Sequence, residues 1–265
     1  MLDKITQLLN TGESSNVELA IQLARSQNMG DECYYLLRFG DMLDYLRSFE
    51  NIDIRRFKFW APEPKEIEKV EATIGKTIQA ATRRFFEQCG GMELFWMDKR
   101  SEVYEDRKNT TWPDYGVDGY IDIKGIYEIY NENSLETYGY GHELMDKELS
   151  SEEVEATHHS FDHFSHYNDM QAYTGEGFED NPLLIMGDDH QACYTDARLI
   201  DIPSYLELVF HCCGIVDGRP RLLKKYNGHK LPILTPDRAF FEQYPLPDFN
   251  QYPAELFYPE SSFWS

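Results

Sequence analysis

The densest group of metal-competent side chains in the sequence is His158-His159-Ser160-Phe161-Asp162-His163-Phe164-Ser165-His166. Imidazole nitrogens suit zinc, and Asp162 or Asp169 stands near enough to add a carboxylate. Ser151, Glu152 and Glu153 are helix-starting residues just upstream. On a helix His159 and His163 lie four apart and His163 and His166 three apart, so the three would share one face. The spacing matches no established metal motif, and HExxH is absent. The preferred reading is a polar, acidic insertion in which histidines balance carboxylates. It implies no metal and no cofactor. A variant of it is a surface that charges near pH 6.

Carboxylates form the second concentration. Residues 143–189 hold thirteen Asp or Glu and one base, Lys147. One reading is a solvated face, the usual fate of a charge run. The other is a docking surface for a basic protein, with Glu176, Asp180, Asp188 and Asp189 as candidate contacts. Asp188-Asp189 follows Gly187 and reads as turn chemistry, not as a catalytic pair. GxGxxG, GxxxxGK[ST] and GxSxG are absent, and Gly175-Glu176-Gly177 and Gly139-Tyr140-Gly141 are short turns. Cys89 or Cys193 beside a histidine would make a thiol nucleophile, yet nothing in the sequence brings such a pair together.

Five cysteines at scattered positions, Cys33, Cys89, Cys193, Cys212 and Cys213, read as reduced, buried thiols of a cytoplasmic protein. Redox or metal use is the alternative. The opening Met1-Leu2-Asp3-Lys4-Ile5 leads into a polar helix, so no secretory signal is expected. No run reaches the length of a membrane-spanning helix. The formal charge of -22 and an isoelectric point near 4.6 argue against nucleic acid and anionic membranes as partners. An aromatic content of 14% is enough to build a core, which argues against disorder.

Residues 1–60 read as helical. Ser15-x-x-Glu18 has the form of a capping box ahead of an apolar face of Val17, Ala20, Ile21 and Ala24. A second helix follows Asp31, with Gly40 as a candidate interruption. After Pro62 and Pro64 come two more helices, one ended by Gly75 and one running over about 78–89 and closed by Gly90-Gly91. The pattern then turns to strands at 92–97, at Tyr120–Ile123 and at Ile126–Tyr130, with a long loop over 98–119. Pro182–Met186 reads as a strand, with Gln191–Tyr194 as its hairpin partner. A helix then starts near Pro203. Helices, then strands, then a helix is an α+β order. Beyond residue 216, prolines alternate with aromatics, which predicts an extended arm laid over the domain by its rings.

The stretch from Ile67 to Gly91 resembles the SUKH superfamily, which includes a fungal cell-wall-synthesis regulator and many bacterial toxin-immunity proteins. Glu71, Ile74-Gly75, Ile78, Phe85-Phe86 and Gly90-Gly91 fall where that family has its acidic residue, Leu-Gly step, Leu, Phe-Leu and Asn-Gly. Gln79, Thr82 and Gly90 depart from its usual Pro, aromatic and Asn. The stretch Asn16–Ala24 also looks like helical leaders found beside such domains. The resemblance covers roughly residues 61–215. It implies a SUKH-like α+β domain with helices around a mainly antiparallel sheet. That domain would follow a helical extension over 1–60 and precede an arm over 216–265.

The resemblance further implies a non-enzymatic, cytoplasmic bacterial protein that binds another protein. Its leading form is an immunity protein occluding a basic toxin domain through an acidic surface. A regulatory or scaffolding module is the alternative, and a metal-dependent enzyme built on His158–His166 is a minor one.

Overall fold

The computed structural model describes residues 1–63, 65–109, 118–131, 142–144, 147–163, 169–175, 183–185, 199–216, 233–234, 241–242 and 246–251. The chain opens with three helices, α1 (Leu2–Leu9), α2 (Ser14–Ser26) and α3 (Tyr34–Arg47). Val17, Ala20, Ile21 and Ala24 are the buried face of α2, as their spacing predicts. The capping box at Ser15–Glu18 does not form, because α2 starts two residues earlier, with Glu13 as its N-cap. Ser14 instead donates its hydroxyl to the carbonyl of Phe57, 2.6 Å away, and so ties the helix to the sheet. A reciprocal box does form at Ser150–Glu153: Glu153 N donates to Ser150 Oγ and Ser150 N to a Glu153 carboxylate oxygen. α3 runs through Gly40 without a break, and this residue packs against Ile21 of α2.

Residues 52–59 are not helical. They form strand β1 (Ile52–Phe59), whose alternation is obscured by a bulge between Ile54 and Arg56. Helices α4 (Glu66–Ile74) and α5 (Ala80–Gln88) follow, with Gly75 closing α4 at a φ of 67° that disfavours any side chain. Next come β2 (Met92–Asp98), the short α6 (Tyr104–Arg107) inside the expected loop, and β3 (Gly119–Ile123). Ile126–Asn131, expected as a strand, is helix α7. Ile126, Ile129 and Tyr130 are its buried side, and Tyr127 and Glu128 are exposed, so a three-to-four spacing overrides the β-branched composition.

A small hairpin, β4 (His142–Leu144) with β5 (Lys147–Leu149), precedes α8 (Ser151–Thr157). Strands β6 (His158–His163), β7 (Asp169–Tyr173), β8 (Leu183–Ile185) and β9 (Leu199–Ile200), helix α9 (Ile202–His211) and β10 (Ile233–Leu234) complete the described elements. The expected hairpin partner at Gln191–Tyr194 lies outside the described residues. α9 is capped by Asp201, whose carboxylate accepts from Ser204 N.

The main sheet has the order β1-β2-β3-β6-β7-β8-β9-β10, antiparallel at every joint except the parallel β9–β10 pair. The class is α+β, with helices packed around a mainly antiparallel sheet. Phe59, Met92, Leu94, Trp96, Ile121 and Ile123 are fully buried on one face of β1–β3. Helices α3, α5 and α9 pack on one another, and rings link them to the sheet: Phe39 to Phe59, Phe85 to Phe161, and Phe161 to Tyr205. One apolar cluster runs from Ile5 in α1 to Phe249.

The joint between β3 and β6 is narrow. Its register consists of Ile123 opposite Asp162, beside a bulge between Ser160 and Asp162. The Asp162 side chain, fully buried, compensates for the short ladder. It accepts from Asp122 N at 2.8 Å and from the Tyr205 hydroxyl at 2.5 Å. Removing that carboxylate strands two buried donors, each costing about 1–3 kcal/mol. Asp162→Ala is therefore expected to lower the unfolding free energy by roughly 3–5 kcal/mol, and Tyr205→Phe by about 1–3 kcal/mol. Urea unfolding of the two variants measures both; an unchanged midpoint for Asp162→Ala would show that the junction does not depend on this side chain.

Candidate functional site

The face of β1–β3 turned away from the buried apolar rows carries charge. Lys58, Glu93 and Asp122 are register partners on successive strands, so their side chains form one row across the sheet. The next row is Arg56, Phe95 and Tyr120. Two carboxylates placed directly opposite repel each other. Cations on both sides offset this: Arg56 and Lys58 pair with Glu93, the latter at 3.5 Å, and Lys124 pairs with Asp122 at 2.8 Å. The Lys58 ammonium also lies 5.3 Å from the centre of the Trp60 ring.

Arg56, Lys58, Trp60, Glu93, Tyr120, Asp122 and Lys124 line a cleft of about 880 Å³, bounded by Thr6 of α1, by Asn10 just after it and by Glu128 of α7. Its closed end is made where the chain leaving β1 runs beside Gly90-Gly91: Trp60 N donates to Gly91 O and Gly90 N to Trp60 O, both at 2.9 Å. A Cβ on Gly90 would stand 2.1 Å from Ala61 O, so this approach requires glycine. Glu63 and Glu128 are exposed at the rim.

Burial alone would lower the Lys124 ammonium, but Asp122, Glu128 and Glu93 outweigh it and hold it above its ordinary value. Burial, then Asp122 and Glu93, push the Tyr120 phenol far above its ordinary range, so it stays protonated. With Glu93 and Asp122 already ion-paired, the arrangement suits charge recognition better than proton transfer.

The residues of the resemblance are structural parts, and of them Gly90 and Gly91 line the cleft. Glu71 Oε1 accepts from Ile78 N and from Arg83 Nη1, each at 2.9 Å, and so fixes the turn between α4 and α5. Phe85 and Phe86 are buried with ring centres 4.9 Å apart. Gly75 ends α4, and Gly90-Gly91 leads into β2.

The histidine cluster does not form the helical face on which a metal reading depends. α8 ends at Thr157, and His158–His163 is strand β6. Adjacent side chains on a strand point to opposite faces, and His159 and His163 lie about 12 Å apart along an extended chain. His158 is fully buried against the Tyr173 ring with Nδ1 3.0 Å from Thr157 Oγ1. His159 contacts Tyr130 and Thr174, and His163 is exposed. Asp162, the candidate carboxylate ligand, is committed to Asp122 and Tyr205. Among the described residues no group of three His, Cys, Asp or Glu side chains converges on a metal-sized site. His166 and the docking candidates Glu176, Asp180, Asp188 and Asp189 lie outside the described residues.

Cys33, Cys89, Cys212 and Cys213 are buried and free of disulfides. Burial pushes the Cys89 thiol up to about 12 and that of Cys213 well above its ordinary value. The Lys58–Glu93–Asp122 row is not legible in the sequence, because residues 52–59 read there as helix and are strand β1. The available signal was Glu93, a lone charge inside the apolar run Met92–Met97.

Burial lowers the His159 imidazole from its ordinary 6.5 to about 4. The unfolded chain takes up this proton near pH 6.5 and the folded chain only near pH 4. Stability from the neutral ring is therefore intact above pH 6.5 and lost as pH falls toward 4. In His159→Gln the fall in unfolding midpoint across that window is expected to be shallower, by up to about one proton's worth of slope. Parallel wild-type and variant curves in urea titrations would contradict it.

No family model matches the chain, no curated protein matches it, and no solved structure matches it.

Proposed function

We propose that this chain is a non-enzymatic protein-binding module of the SUKH type, an immunity protein that occludes a basic toxin domain. The observation that carries the reading is the direction of the uncompensated charge. The chain has 47 acidic against 25 basic residues, and 143–189 alone contributes thirteen acids and one base. In the cleft the cations Arg56, Lys58 and Lys124 are engaged by Glu93 and Asp122, which leaves the rim carboxylates Glu63 and Glu128 outermost. A basic partner is drawn to such a net field. The motif geometry at Glu71, Gly75 and Gly90-Gly91 supports the family reading, because each residue has a definite structural reason to be of its type.

A toxin nuclease is basic because it approaches phosphate, and an acidic protein that caps the same surface blocks it without chemistry. Glu176, Asp180, Asp188 and Asp189 remain the proposed contacts. Tagged protein in native lysate is expected to capture one basic protein at low salt and release it as salt rises. With that partner, the combined Glu176→Gln, Asp180→Asn, Asp188→Asn, Asp189→Asn variant is expected to associate about tenfold or more slowly at low ionic strength, with a flatter salt dependence. Unchanged association kinetics would remove the acidic-docking reading.

A further inference from the structure

The segment Leu246–Gln251 is held in a manner that differs from the rest of the core. Its residues alternate between exposed and buried, with Pro247 and Phe249 inward and Leu246, Asp248 and Asn250 outward. Phe249 is fully buried among three rings: Trp96 at 5.2 Å, Phe49 at 5.3 Å and Tyr45 at 6.3 Å between centres. The first two are edge-on, the geometry aromatic rings favour.

Five hydrogen bonds join the segment to these walls, and they run the same way. Tyr45 OH donates to Pro247 O, Asn51 Nδ2 to Phe249 O, and the Arg100 guanidinium to Phe249 O, Asn250 O and Gln251 O, at 2.7–3.0 Å. Of these donors, Asn51 and Arg100 are fixed without the segment. Asp98, fully buried on β2, chelates the Arg100 guanidinium at 2.5–3.2 Å and accepts from Asn51 Nδ2 at 3.0 Å. Asp98 N in turn donates to Asp118. The segment is also shaped by itself: Asp248 accepts from Asn250 N and Nδ2, and Gln251 N donates to Asp248 O.

We propose that Tyr45, Phe49, Asn51, Trp96 and Arg100 form a peptide-recognition socket, specific for a Pro-x-Phe segment that leads into a turn, and filled in this chain by its own residues 246–251. A pre-organised receptor reads backbone carbonyls and one aromatic anchor, and a pre-shaped ligand supplies them. Ordinary core packing makes no such division, since there neither side is shaped without the other. The occupant is therefore exchangeable for a peptide of the same chemistry supplied in trans.

The test uses full-length chain and a fluorescein-labelled peptide Leu-Pro-Asp-Phe-Asn-Gln, read by anisotropy. Phe249→Ala empties the ring pocket and leaves the donors in place. It is expected to bind the peptide at least about tenfold more tightly than wild type, whose socket is occupied. A peptide with Phe replaced by Ala, or Phe249→Ala combined with Arg100→Ala, is expected to lose that binding. In a second arm, a protease site is introduced between Glu242 and Leu246 of the otherwise unaltered chain. After cleavage, the C-terminal fragment is expected to stay bound in gel filtration and to be displaced by excess peptide. The second arm covers a Phe249→Ala variant that does not fold. A folded Phe249→Ala chain that ignores the peptide, or a cleaved chain whose fragment cannot be exchanged, overturns the proposal and returns Phe249 to the ordinary core.

Discussion

A buried carboxylate joins the two halves of this protein. β1–β3 and β6–β10 share a single sheet, yet the ladder between them is reduced to Ile123 opposite Asp162. Beside it, one long backbone bond, Lys124 N to Phe161 O at 3.4 Å, joins the two strands. Asp162 reinforces the joint with its side chain, holding the backbone of β3 with one oxygen and the hydroxyl of α9 with the other. Three elements from distant parts of the chain thereby meet at one acceptor group. Burying a carboxylate is unfavourable unless its lone pairs are used, and here both oxygens are engaged. The residue it grips, Asp122, carries one of the cleft's carboxylates, so the position of the charged row depends on the joint beneath it.

The cleft follows from the two faces of β1–β3 having opposite tasks. One face needs large apolar side chains to bury α3, α5 and α9, and Phe59, Leu94, Trp96, Ile121 and Ile123 supply them. The alternation of a strand then places Lys58, Glu93 and Asp122 on the other side. Like-charged neighbours in the row are tolerated because Arg56, Lys58 and Lys124 flank them. What the surroundings sense is the remainder, which is acidic at the rim and acidic over the chain as a whole.

Long helices with clear periodicity were legible in the sequence, and so were the glycine stops at Gly75 and Gly90-Gly91. β1 was not, because a bulge at Arg55 breaks the alternation of Ile52, Ile54, Phe57 and Phe59 just where a strand would be recognised. α7 was misread for the opposite reason: six residues are too few to separate a helical period from alternation when Ile and Tyr favour strands. The histidines were grouped by proximity in sequence, which converts to proximity in space on a helix but to divergence on a strand. The charged row was illegible because its members are 29 to 64 residues apart and meet only through strand register. The Glu71–Gly91 stretch, by contrast, is local: Glu71 accepts from Ile78 N, and Phe85 packs on Phe86, within one pair of successive helices.

Strand order also has a kinetic side. β1, β2 and β3 are neighbours in the chain and in the sheet, and so are β6, β7, β8 and β9. Each set closes loops between successive strands, at a modest entropic cost per step. β6–β9 assembles from contacts of short sequence separation, which favours rapid early organisation, whereas β1 and β2 pair across the stretch that carries α4 and α5. The docking of one set of strands on the other brings Asp162 to Asp122 and α9 to both, across a stretch of chain as long as the one that separates β1 from β2. On this topology β6–β9 is the local assembly, and the Asp162 junction and the β1–β2 pairing both close long loops.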